Sequence, residues 1–396
     1  MAEPLFKIIN FPGQSYIILE GEKKSSNFYI IREGKVNVKR TNPLPGEKAS
    51  EVLGPGDFFG VISAMSQYPQ VESAISMGDV SLISVSNYRF GELIQKNTPV
   101  AMKIIRYFSV KLRQFGDFKQ SGQKFIAFKD PTESLEQIFQ FGEYYFNEGN
   151  PEVATYCFQA YLSHLPTGKS AAKAKKQLEV LDQPLTLPPP QSSSNRSFKQ
   201  HDMIFCENEP GKELFIVQSG KVKISKINND GEIVLNIMQP GDIFGEMALI
   251  DDKPRSASAI ALESVELLVI HKKNFEGMVK TQPQLMSRII TLLSERIWTS
   301  YKNISNSMIQ DVQGRIADLC LTLAEKSRVK IASRAHFSFG IGIPDILKML
   351  GLSEYRDQNV MMKFITNNQF IQMEGENLVC TDLSLLERLV QTYHKK

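Results

Sequence analysis

Two hydrophobic periods alternate along this chain. Short β-rich runs come first, FYIIREGKVNV at 28–38 and LFIVQSGKVKI at 214–224, each turning at a glycine inside otherwise apolar sequence. A second pair, GPGDFFG at 54–60 and QPGDIFG at 239–245, stands almost the same distance apart, so a whole domain has been duplicated. Within each copy, runs such as VKISKI and EIVLNIM are separated by Gly, Pro and Asn-Asp-Gly turns. That pattern predicts a small antiparallel barrel or roll. After each copy the period becomes helical, through Ile94, Ile105, Phe108, Leu112 and Phe115 in the first and Leu285, Ile289, Leu292, Ile297, Ile304 and Met308 in the second. A long helix with one apolar seam needs a partner. A homodimer through residues 283–310 is expected, with packing on its own roll as the other reading.

Between the copies, FGEYYFNEGNPEVATYCFQAYLSHLP at 141–166 reads as two helices about a Gly-Asn-Pro turn. Phe141, Gly142, Tyr145, Ala154, Phe158 and Pro166 stand where a tetratricopeptide repeat has its small and aromatic packing residues, so this segment resembles that family. A single hairpin cannot bury its own apolar face, and it is expected to pack on a roll or on a second copy. The stretch QPLTLPPPQSSSNRS at 183–197 has the composition of a flexible linker.

Composition narrows the function classes. At 396 residues, with 42% apolar and 22% charged content, the chain is long enough for several packed cores. A formal net charge of +3 gives no overall field for nucleic acid or an acidic membrane, so such binding has to be local. Cys157, Cys206, Cys320 and Cys380 lie far apart without metal-ligand spacing and read as scattered buried thiols. The start MAEPLFKIINFPG lacks a basic segment followed by an apolar run, so a cytoplasmic protein is expected. The five histidines are dispersed and no nucleophile has a triad context, which argues against an enzyme, a catalytic site or a metal centre.

The candidate chemistry concentrates at 244–258, FGEMALIDDKPRSAS. The passage from strand into a short helix at Gly245, Glu246 and Met247 presents unpaired amides and favours an anion. Arg255 supplies a planar fork for phosphate oxygens, while Ser256 and Ala257 add a hydroxyl and amides with little bulk. Glu246 suits a ribose hydroxyl, so the set describes a ribose phosphate. Phe244, Gly245, Glu246, Ala248, Leu249, Pro254, Arg255 and Ala257 match the order and spacing of the phosphate-binding cassette of cyclic-nucleotide-binding domains. The resemblance implies that Glu246 takes the ribose 2′-hydroxyl, Arg255 the cyclic phosphate, and the amides of Gly245, Glu246, Ser256 and Ala257 the rest of the cradle. In the first copy Val61 replaces Glu246 and Gln70 replaces Arg255. Each lost charge-assisted bond is worth roughly 1.5–3 kcal/mol, so that copy is expected to keep the fold and not the ligand.

From TQPQLMSRII through DVQGRIADL the chain resembles the cyclic AMP receptor protein (CRP/FNR) family, with its long helix and Asp-Val-x-Gly-Arg joint. Alignment on that joint places Ser300 and Tyr301 where family members contact the purine from the long helix, which implies adenine recognition across the dimer and leans to cyclic AMP, whereas Ser256 suits guanine equally well. Residues 343–382 follow the succession of a winged helix-turn-helix, with the Gly351 turn, Leu352, Ser353, a second helix and a hairpin about Glu374, Gly375 and Glu376. Ser353, Tyr355, Arg356, Gln358, Asn359 and Lys363 are the candidate DNA-contacting residues. Glu354 and Asp357 oppose that role, and from 311 onward eleven Lys or Arg meet ten Asp or Glu. Lys326, Arg328, Lys330 and Arg334 offer compensating backbone contacts.

The fold expected is α+β and multidomain. A degenerate cyclic-nucleotide-binding-like roll at 1–125 is followed by a tetratricopeptide-like hairpin at 126–182, the linker at 183–197, a cyclic-nucleotide-binding roll, antiparallel and jelly-roll-like, at 198–282, the dimerisation helix at 283–310 and the winged helix-turn-helix at 311–396. The function expected is a transcriptional regulator answering to cyclic AMP, with cyclic GMP possible as ligand and double-stranded DNA as partner. A signalling adaptor whose winged helix and front roll, or helical hairpin, bind proteins is the alternative.

Overall fold

A computed structural model of the chain describes residues 6–23, 26–41, 43–44, 47–121, 131–188, 193–228, 231–352 and 354–394. Each copy forms two four-stranded antiparallel sheets. In the first, one sheet runs Lys7–Phe11, Val80–Ser86, Asn27–Glu33, Phe58–Phe59 and the other Tyr16–Ile18, Ser73–Ser76, Val36–Lys39, Ser50–Leu53. The second copy repeats this order strand for strand, Asn195–Phe198, Val265–His271, Glu213–Ser219, Ile243–Phe244 facing Met203–Phe205, Ser258–Ala261, Val222–Asn228, Gly231–Met238. Two register shifts coincide, at Ile31/Glu33 and Val217/Ser219 and at Tyr16/Ile18 and Met203/Phe205, while the second copy has a further one at Ile224/Ser225. Equivalent side chains fill the two cores, with Val36, Phe59 and Leu82 answering to Val222, Phe244 and Leu267. Duplication is thus visible in packing as well as in sequence.

The helices are α1 (Val61–Ser66), α2 (Phe90–Lys96), α3 (Thr98–Ser121), α4 (Pro131–Asn147), α5 (Pro151–His164), α6 (Ala171–Val180), α7 (Glu246–Asp251), α8 (Lys272–Thr281), α9 (Pro283–Met308), α10 (Val312–Lys326), α11 (Ile343–Met349), α12 (Glu354–Asn367) and α13 (Leu383–His394). Two compact units divide the chain, one of Met1–Phe90 with Leu293–Lys396 and one of Gly91–Leu292. Each copy's trailing helix therefore belongs largely to the unit that holds the other copy's roll. Among the described residues no helix is long and apolar enough to cross a membrane.

In the unit of the first roll, the later turns of α9 lie against that roll. Trp298 is buried; its Nε1 donates to the Pro69 carbonyl at 3.0 Å and its ring lies 4.6 Å from that of Tyr68. Leu293, Ile297, Tyr301 and Ile304 are buried beside it. Of the seam expected to meet a second copy, Ile297 and Ile304 are buried within this unit, Ile289 is buried in the other unit, and Met308 is exposed. Beyond it, Asp311 caps α10 by accepting from the Gln313 amide. Strands Phe337–Ser338, Asn377–Cys380 and Ile371–Glu374 form a small sheet beside α11 and α12, which meet at Gly351. Helix α13, absent from the sequence reading, packs on α10. A Cβ at Gly314 would stand 2.7 Å from the Tyr393 ring, so the glycine is what lets α13 approach.

In the other unit, α4 and α5 form the expected hairpin, with a third helix, α6, added to it. Phe141, Tyr145, Ala154 and Phe158 are buried in a core that continues into Met203, Cys206 and Ile260 of the second roll. The Tyr145 hydroxyl donates to Glu232 at 2.9 Å and the Glu232 amide donates to Tyr144 at 3.1 Å. Of the two placements open to the hairpin, docking on a roll is the one adopted. The linker reading needs correction. Gln159 donates to the Pro184 carbonyl, Leu187 packs on the helical core, and a strand begins at Asn195, so residues 183–188 and 195–197 are tied down although their composition is that of a tether. Residues 189–192 lie outside the described part.

Trp298→Ala removes the largest side chain buried in the first roll's unit. It is expected to cost about 3–5 kcal/mol of that unit's stability, read as a lower urea midpoint of its unfolding transition by circular dichroism.

Candidate functional site

The second roll's cassette begins where the strand Ile243–Phe244 ends. Gly245 takes a left-handed conformation, φ 75°, and caps α7; a side chain there would also meet Arg255 Nη1 at 2.7 Å. The turn thus releases the chain into a short helix whose first residue is Glu246, 1% exposed. Arg255 is 5% exposed. Its Nη1 donates to the carbonyls of Glu213 and Gly245 at 2.8 and 2.7 Å, and its guanidinium lies 4.1 Å from the centre of the Phe205 ring. Phe215 stacks on Phe244 next to it, so the cation sits on an aromatic floor. Burial pulls the Arg255 pKa below its ordinary value, and Glu209, Glu213 and Glu246 oppose that pull. A guanidinium so held stays charged. Its Nε is buried and finds no acceptor among the described residues. Met247 and Ser256 are half-buried, Ala248 and Ala257 buried. The arrangement offers a desolvated positive fork, a helix start and a buried carboxylate, which is what an anion bearing hydroxyls needs.

Helix α3 also reaches this cassette. Ser109 Oγ donates to the Met247 carbonyl at 3.4 Å and Arg113 Nη1 to the Pro254 carbonyl at 3.0 Å, one contact next to Glu246 and one next to Arg255. Sequence reasoning missed both, along with Phe205 and Glu209, because a seam on a helix does not say which surface covers it. Ser300 and Tyr301 belong to the unit of the first roll. Tyr301 is buried in the unit of the first roll, under the Arg40 guanidinium at 5.3 Å, and Ser300 is half-buried on the same stretch of helix.

The first roll keeps the backbone and inverts the charge. Gly60 caps α1 with φ 74°, the same conformation as Gly245. Val61 and Gln70, in the places of Glu246 and Arg255, are buried. Glu72, in the place of Ala257 and 7% exposed, accepts from the Gly60 amide at 3.1 Å and pairs with Arg40 at 3.3 Å. Arg40 also pairs with Glu47. A carboxylate of the chain itself therefore occupies the amide that opens the short helix.

In the C-terminal domain, Gln358, Asn359 and Lys363 are exposed on α12. Tyr355 and Arg356 belong to α12, with their side chains outside the described part, and Ser353 lies outside it altogether. Arg328 is already engaged, its Nη2 donating to Glu295 and to the Ser66 carbonyl at 3.0 and 3.2 Å. It is therefore a poor phosphate contact, contrary to the expectation for that loop. Among the described residues no cluster of three or more potential metal ligands occurs.

Both rolls match the cyclic nucleotide-binding domain family, over residues 8–97 and 195–282. The chain carries two such domains. It is 28% identical over 192 residues, 48% of this chain and 85% of the relative, to a CRP-like cAMP-activated global transcriptional regulator of Mycobacterium tuberculosis (strain CDC 1551 / Oshkosh). It is 31% identical over 129 residues to the cyclic AMP receptor protein of Thermus thermophilus, covering 32% of this chain and 60% of that one. Among solved structures, the Thermus thermophilus catabolite activator protein is 24% identical, covers 50% of this chain and 90% of its own, and superposes with a TM-score of 0.29.

Glu72→Ala would leave Arg40 with one partner fewer and the Gly60 amide without its acceptor. The expected cost is about 3 kcal/mol in the stability of the first roll's unit, read by chemical denaturation; a cost below about 1 kcal/mol would show that the carboxylate is not held as a fixed internal anion.

Proposed function

We propose that the protein is a cyclic-nucleotide-responsive transcriptional regulator whose second roll binds the nucleotide, cyclic AMP by preference and cyclic GMP as the competing ligand. The observation that carries this reading is the buried Arg255, with a donor to spare, beside Glu246 in a segment that matches a nucleotide-binding family. Gly245, Glu246, Met247, Ala248, Arg255, Ser256 and Ala257 form the phosphate and ribose side. On binding, Arg255 exchanges its carbonyl partners for phosphate oxygens, a charge-assisted pair in a desolvated setting. Residues of α3 around Ser109 and Arg113 take the place on the purine side that the sequence assigned to Ser300 and Tyr301. The first roll, with Glu72 in its cradle, is a structural domain and binds no nucleotide.

The names of the relatives support the transcriptional output. The C-terminal domain then acts as a winged helix-turn-helix, with Gln358, Asn359 and Lys363 on the duplex. Two copies of the chain pair to address two half-sites, through a surface other than the seam at Leu293–Ile304, which is already covered. Ligand acts by binding one arrangement of the chain better than another.

Calorimetric titration of the full chain with cyclic AMP is expected to give one site per chain. Arg255→Ala should weaken it by about 2–5 kcal/mol, and an unchanged affinity would remove Arg255 from the site. Binding to duplex DNA should strengthen with nucleotide and fall as salt rises. Salt-insensitive or absent DNA binding, with nucleotide binding intact, would point to a protein partner for the same domain.

A further inference from the structure

Helices α4 to α6 have no part in the function proposed above, yet they grip the loop that fixes Arg255. That loop spans residues 206–211. The Arg255 amide donates to the Glu209 carbonyl at 2.8 Å, and the Asn208 amide donates to the Arg255 carbonyl at 2.9 Å. Two hydrogen bonds thus tie the backbone of the phosphate arginine to Asn208 and Glu209. The Glu209 side chain, 6% exposed, points back into the protein, where it accepts from the Cys206 amide and from the Tyr156 hydroxyl of α5, the latter at 3.1 Å. His164, at the end of α5, stands 3.6 Å from the same carboxylate, and Asn208 donates its side-chain amide to Gln137 of α4 at 3.0 Å. Glu209 is also one of the carboxylates, with Glu213 and Glu246, whose charge opposes the pull of burial on the Arg255 pKa.

We propose that Tyr156 is a positioning residue of the nucleotide site: its hydroxyl fixes the Glu209 carboxylate, and Glu209 holds Arg255 at the place where a phosphate meets it. The helical insert is then part of the binding apparatus and not only a spacer. A buried carboxylate keeps its direction through the donors it accepts from. Removing one donor loosens Glu209, and the two backbone bonds and the countercharge loosen with it. The insert's docking does not depend on this contact, because Tyr144 and Tyr145 reach Glu232 and the apolar core is shared with Met203, Cys206 and Ile260. An interface that is secured elsewhere leaves the Tyr156 hydroxyl for this second task.

This inference rests on the proposed nucleotide site, and its test separates the two. Tyr156→Phe in the full chain keeps the ring and loses the hydroxyl; Tyr145→Phe does the same at the other end of the interface and serves as the comparison. Cyclic AMP titration should show Tyr156→Phe weaker than the parent by about tenfold, with one site per chain retained, and Tyr145→Phe within about twofold of the parent. The loss should vanish in the Arg255→Ala background, measured by displacement at high ligand, because Tyr156 acts through that arginine. Equal affinity for Tyr156→Phe and the parent, an equal loss in Tyr145→Phe, or the same loss without Arg255 would each overturn the proposal. Should the parent bind no cyclic nucleotide, the functional reading fails, and hydrogen exchange decides the inference alone. Tyr156→Phe should then still speed exchange at the Asn208 and Arg255 amides relative to Tyr145→Phe, and unchanged exchange would overturn it.

Discussion

A helix of two dozen residues with one apolar seam is unstable in water until something covers the seam. Among the described residues two such helices occur, α3 with 24 residues and α9 with 26, one after each roll. The duplication supplies the cover. From Leu293 onward α9 buries Trp298 and Tyr301 in the unit of the first roll, and α3 lays Ser109 and Arg113 on the cassette of the second. Neither copy is complete by itself, because the helix that leaves one roll is packed in the unit of the other. Cutting the chain between the copies would expose an apolar face on each side of the cut.

The two cassettes show what such a pairing permits. Their glycine caps have nearly the same dihedral angles, their strands the same order and two of their bulges the same places, since each of these is set by packing that both copies need. Charge is not under that constraint. In one copy the space by the short helix is bounded by Arg255 on an aromatic floor; in the other it is filled by Glu72 and Arg40. A site left open needs an external anion to complete it, whereas a site closed by an internal ion pair does not. On the function proposed above, the same scaffold serves as a receptor in one place and as a fixed support in the other.

Much of this was legible in the residues. Turn signals and apolar runs gave both rolls, and the spacing of Gly245, Glu246 and Arg255 located the cassette, because those features are local and depend on backbone geometry. What escaped was everything decided by who packs on whom. The seam on α9 is plain in the sequence, but periodicity names the buried face and not its partner, so the burial of Tyr301 under Arg40 has no sequence signal. Residues 183–197 have the composition of a tether, yet Leu187 and the Pro184 carbonyl find partners on the helical insert. Glu209 reads as a surface loop residue in CENEPG until Tyr156, more than fifty positions earlier, is seen to reach it. Helices α6 and α13 are short and went unnoticed because their neighbours, more than their own propensity, stabilise them.

Trp298 is the chain's sole tryptophan, and it lies buried against Tyr68 with its indole N–H bonded to a carbonyl, within a few ångströms of Lys302. Its emission is consequently an optical label that the protein carries by nature, placed in the unit of the first roll, while Arg255 belongs to the other. An indole in a dry, ordered setting emits to the blue and shifts when its surroundings loosen. Any change in that emission on filling the second cassette would be communication between the units made directly visible, with no dye attached.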